Sequence, residues 1–143
     1  MGDTGKDDGW RRGQSLVEFA LVLPVLMVLL VGLLDAGRLF YAYTGITGAA
    51  AEGAAYGVTA ARRPDVDLYA EVRRRTVEAT DGLVQIEEDD VDVAPESITP
   101  STDRITVTVT YNYELVTPLV RGMVGGGVLP LRAVAARAMG RES

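Results

Sequence analysis

The chain contains no cysteine and no histidine. Without cysteine there is no disulfide framework, no thiolate nucleophile and no cysteine-bound metal. Without histidine, the usual general base at neutral pH and the commonest metal ligand are both missing, which leaves little for hydrolase or zinc chemistry to draw on. Basic residues are sparse as well: acids outnumber them 20 to 14, for a net charge of −6. The longest basic block is Arg73, Arg74 and Arg75, so nucleic acid is not an expected partner. At 143 residues the chain has room for one membrane segment and one small domain, not for two independent cores.

What the sequence does have is one long apolar run. From Leu16 to Leu34, LVEFALVLPVLMVLLVGLL, nineteen residues hold a single charge, one proline and one glycine. As a helix this run covers about 28 Å, close to the thickness of a bilayer's hydrocarbon core. A cleaved secretory signal would have a shorter apolar region followed by small residues, whereas DAGRLFYAYTG follows here. Arg11 and Arg12 precede the run, so the positive-inside rule keeps the N-terminus cytoplasmic and exports the remainder. Beyond the run, Asp35 and Arg38 stand one helical turn apart and are expected to pair.

Glu18, the one charge inside the run, has two readings. SLVE fits a capping box, in which Ser15 would accept a bond from the amide of Glu18 and Glu18 would return one to the amide of Ser15. A negative charge would also suit the positive end of the helix dipole. The second reading uses the whole string RRGQSLVE. Two arginines, a glycine, and an apolar helix with glutamate five residues after the glycine resemble a type IV prepilin, whose leader is removed by prepilin peptidase. The cut would fall between Gly13 and Gln14. The new α-amino group at Gln14, on the same or a neighbouring subunit, would then be the countercharge that a carboxylate in lipid needs. Capping requires an acceptor at Glu18, whereas assembly requires a charge.

GQSLVEFALVLPVLMVLLVGLLDAGRLFYAY and AAAEGAAYGV, within residues 13 to 58, resemble the TadE-like family, the minor pseudopilins of the Flp/Tad pilus system, and the TadF-like relatives share the pattern. The leader departs from a plain basic one, because Asp3, Asp7 and Asp8 offset Lys6, Arg11 and Arg12. The resemblance implies a non-catalytic, membrane-inserted subunit without cofactor or metal. Its implied partners are the membrane, prepilin peptidase, other pilins or pseudopilins (TadF-like, Flp major pilin) and the pilus assembly platform. It would reside in the cytoplasmic membrane as a single-pass protein with an extracytoplasmic head, or enter the pilus. The rival expectation is an unprocessed, single-pass anchored domain that binds a ligand or surface.

The expected fold is α+β and pilin-like, with a long N-terminal helix whose first half is transmembrane, a second helix, and an antiparallel sheet of three to four strands. Residues 1–13 would form the leader, 14–34 the transmembrane helix, 35–61 its extracytoplasmic continuation and 62–143 the head. No proline interrupts residues 35 to 61, and RRPD at 62–65 supplies a stop. Pro24 removes one backbone bond inside the span and should bend or loosen it. Gly45, Ala49, Gly53, Gly57 and Ala61 recur every four residues as a ridge for close helix packing, against the chain's own head or a second subunit. Residues 65–82 read as a surface helix, with Leu68, Val72, Thr76 and Ala79 on one face and the three arginines solvated. RITVTVTYNYEL alternates as a half-buried strand, LVQIEEDDVDVA gives one strand or two short ones, and VLPLRAVAARAM gives a last strand. The acids of EEDDVD lack the spacing of a calcium loop and read as a solvated turn, and GGG at 125–127 reads as a turn rather than a phosphate cradle.

Overall fold

The computed structural model describes residues 7–63, 67–80, 82, 84–97, 102–118, 121–122 and 125–140. Helix α1 runs from Asp7 to Ala60, 54 residues or about 80 Å. It passes through Pro24, which has no N–H to donate to the carbonyl one turn earlier. It ends where Ala61 and Arg63 donate to the carbonyls of Gly57 and Ala60. Of the expected RRPD stop at 62–65, residues 64 and 65 lie outside the described residues, as do residues 1–6 of the expected leader.

Helix α2, Leu68–Glu78, begins at Asp67, whose carboxylate accepts from the amides of Tyr69 and Ala70. Such a cap satisfies donors that the first turn cannot pair internally. Strand β1 is Val91–Ala94, β2 is Arg104–Glu114 and β3 is Val128–Ala138. They form one antiparallel sheet in the order β1-β2-β3. In register, Val91 sits opposite Val109, and Arg104 to Glu114 sit opposite Ala138 to Val128. The fold is thus α+β as the sequence implies, with three strands.

The sheet's inner face carries the alternation visible in the sequence. Ile105, Val107, Val109 and Tyr113 of β2, Val91 and Val93 of β1, and Ala133 of β3 are buried. They pack on the outer half of α1, where Ile46, Ala49, Ala50 and Ala54 are wholly excluded from solvent. Leu68, Val72 and Thr76 bring α2 against the same core, while Ala79 stays half-buried. Residues 35–61 are therefore the head's central helix as well as the continuation of the span. Thr108, expected on the outer face, is also buried, at the centre of the sheet.

The small residues of α1 set how closely these elements meet. Gly53 and Gly57 are buried, Ala49 is wholly enclosed, and Gly45 and Ala61 are half-buried. A methyl on Gly53 would overlap the Oγ1 of Thr76, and one on Gly57 would sit 3.2 Å from Ile105 and 3.3 Å from Val72. The ridge therefore packs against the chain's own α2 and β2. Tyr56 adds a lateral tie: its hydroxyl donates to Glu71 at 3.3 Å, and the Arg75 guanidinium lies 5.1 Å from its ring centre. The arginines are not a purely solvated face. Arg73 Nε donates to the carbonyl of Val91 at 3.2 Å, and Arg74 bridges Glu71 and Glu78.

Glycines 48 and 53 give opposite expectations. Gly48→Ala meets nothing within 4 Å and should stabilise the chain by about 1 kcal/mol through helix propensity. Gly53→Ala should destabilise it by about 1–3 kcal/mol through overpacking, and adding Thr76→Ala should recover part of that loss. Thermal unfolding of the full chain in detergent micelles checks both signs. Equal stability of the two alanine variants would contradict the packing described.

Candidate membrane and assembly surface

From Leu16 to Leu30 helix α1 is apolar around its circumference, Glu18 apart, and this stretch is exposed throughout. Every residue from Gly13 to Leu30 is exposed, and none of the most apolar stretch is buried. A helix that is hydrophobic on all sides requires lipid or protein around it. Among the described residues it is the one helix long and apolar enough to cross a membrane, so the chain carries a single-pass anchor.

The expected cleavage pair, Gly13 and Gln14, lies on the first exposed turns of this half, with Ser15 and Glu18 beside it. Gln14 Nε2 donates to Glu18 Oε1 at 3.3 Å. The capping box does not form in the full chain, because the helix already begins at Asp7 and Ser15 is an interior helical residue. An N-cap must stand outside the helical ladder to leave its side chain free for an orphan amide. Glu18 therefore sits as an exposed carboxylate on a helix interior. The packing ridge is elsewhere, some 40 Å further along the axis at Gly45, so the two sets of predicted residues do not form one site.

A feature that the sequence reading missed lies where α1 meets the lower edge of the head. Asp35 is only 6% exposed, and its Oδ2 is buried with no hydrogen-bond partner. The expected pairing with Arg38 does not form, and Arg38 is exposed. The Tyr113 phenol is pushed above its usual range first by burial, then by the Asp35 carboxylate, with Arg38 opposing. The signal was present in the spacing: Asp35, Leu39, Ala42, Ile46 and Ala49 fall on one helical stripe, the stripe that faces the sheet. Asp35 had been read by its charge and not by its phase.

On the neighbouring side of α1, Leu33, Leu34, Arg38 and Tyr41 face Tyr113 and Glu114 across an open groove of about 520 Å³. The acids at 87–92 do other work. Glu88–Asp90 is a single 3-10 turn in which the Glu87 amide donates to Asp90 Oδ2 at 2.9 Å. Among the described residues no acids gather as a metal-ligand set. Gly125, at φ +73°, takes the left-handed turn that glycine tolerates, in the connection from β2 to β3.

Residues 13–55 match the family model described as TadE-like protein, the family that the sequence resembles. The match covers just under a third of the chain, namely the anchor and the first part of the head's central helix. No curated protein and no solved structure matches the chain.

An unpaired buried carboxylate opposes folding. Asp35→Asn should raise the unfolding midpoint, by about 1 kcal/mol or more in stability, and should pull the titration of Tyr113 back towards the ordinary phenol range. Ultraviolet titration and thermal unfolding of the full chain check this. A variant that is less stable, with Tyr113 unchanged, would mean that Asp35 has a partner in the folded chain.

Proposed function

We propose, from the TadE-like match over residues 13–55, that the chain is a non-catalytic pseudopilin that takes part in assembling a Flp/Tad (type IV) pilus. The observation that carries this reading is the coincidence of that match with a fully exposed apolar half-helix bearing Gly13, Gln14 and Glu18 in sequence order. Prepilin peptidase cuts between Gly13 and Gln14 on the cytoplasmic side. The helix then starts at Gln14, one turn before Glu18. The side chain of Gln14 already reaches Glu18, so the new amine arises beside the carboxylate it neutralises.

Lateral packing in the membrane uses the exposed inner half of α1. The small-residue ridge is occupied by the chain's own head and holds that head upright on the helix. TadF-like and Flp pilins and the assembly platform are the partners, and the outward-facing head contacts other pilus components.

Mass spectrometry of the membrane fraction, with and without a cognate prepilin peptidase, tests the processing step. A peptidase-dependent start at Gln14 is expected. An intact leader in both samples would favour an unprocessed, single-pass anchored binding domain. Glu18→Gln keeps an acceptor but loses the charge, so insertion should persist while piliation fails. Normal piliation in that variant would remove the assembly role of the carboxylate.

A further inference from the structure

The groove at the base of the head has a composition that selects an occupant. Its floor continues the apolar span without interruption: Leu33 and Leu34 close that span and remain 69% and 63% exposed. Tyr41 and Tyr43 follow on the next turns, both exposed, and tyrosine concentrates at the level of lipid headgroups. The groove also holds one charge of each sign, Arg38 from α1 and Glu114 from the end of β2. It is an open surface groove of about 520 Å³ rather than an enclosed cavity.

We propose that this groove seats one zwitterionic phospholipid from the leaflet where α1 leaves the membrane. Its acyl chain lies along Leu33 and Leu34, its phosphate meets Arg38, and its ammonium meets Glu114 with Tyr41 and Tyr113 alongside. An arginine guanidinium matches phosphate oxygens in charge and geometry, and tyrosine faces attract an ammonium group. An anionic lipid such as phosphatidylglycerol would satisfy Arg38 through its phosphate but offer Glu114 no countercharge. The seat fixes the head's height at the surface, so that the base of β2 rests at the headgroups. It requires the membrane anchor but not pilus membership or leader cleavage, so its failure and theirs are read separately.

Full-length protein is reconstituted in vesicles of equal parts phosphatidylethanolamine and phosphatidylglycerol, extracted gently, and weighed with its retained lipid by native mass spectrometry. One phosphatidylethanolamine per chain should be retained over phosphatidylglycerol by roughly fivefold or more, the scale of one exposed charge contact. Arg38→Gln and Glu114→Gln should each abolish the preference, and both side chains are exposed, so the core is untouched. The exchange R38E with E114R keeps one charge of each sign in the groove but reverses their order relative to the acyl chain, and it should also lose the lipid. Equal retention of both lipids, preference for phosphatidylglycerol, no retained lipid, or an exchange variant that holds phosphatidylethanolamine as the parent does would each overturn the proposal.

Discussion

Helix α1 must satisfy two surroundings along one unbroken backbone, and every other element is arranged around that requirement. Its apolar run, Leu16 to Leu34 with Glu18 near one end, is stable only where lipid or neighbouring protein replaces water. Its outer half is amphipathic and forms the axis of the head's core, with the sheet on one flank and α2 on another. Removing the head would expose a helix rich in glycine and alanine that propensity alone does not sustain. Removing the helix would leave a three-stranded sheet and an 11-residue helix that meet chiefly where α2 passes β1, too small a surface to bury as a core.

Small side chains make the second role work. Gly53 and Gly57 let α2 and β2 approach the helix backbone so closely that a single methyl would displace them. The conformational cost of these glycines is offset by the contact they permit with Val72, Thr76, Ile105 and Val107. Further down the same helix, Asp35 begins the stripe that faces the sheet, with one carboxylate oxygen buried and without a hydrogen-bond partner. A few residues round the helix, at Leu33, Leu34 and Arg38, the stripe is open and the groove begins. The junction between membrane and head is thus the place where the chain's polar groups are least settled.

Much of this architecture was legible in the sequence because it depends on local period. The two-residue alternation of residues 104–115 gave β2 with its inward face, apart from Thr108, and the apolar run gave the anchor. The four-residue recurrence of glycine and alanine marked a packing surface, although spacing could not say that the chain's own head would fill it. What escaped the reading depends on tertiary placement. Ser15 resembled a cap because the apolar run begins there, yet helical backbone continues upstream to Asp7. Arg73 looked solvated until β1 brought the Val91 carbonyl beside it. Asp35 looked paired because charge was weighed before helical phase. Of the candidate site, the residues on the exposed half-helix could be named from sequence, whereas the groove could not, since Tyr113 and Glu114 reach it only through the fold.

The measurement that tests this account most directly uses the absence of cysteine. Single cysteines placed in turn from residue 13 to residue 60 of the full chain in vesicles, spin-labelled and read by electron paramagnetic resonance, report access to oxygen and to a polar relaxation agent. The account requires one continuous helical period across the whole stretch, with oxygen access on all sides up to about residue 30. It also requires positions 42, 46, 49, 50 and 54 to be shielded from both reagents. A break in the period between residues 30 and 42, or free access of the polar agent to positions 46 to 54, would contradict the shared helix on which the anchor and the head both depend.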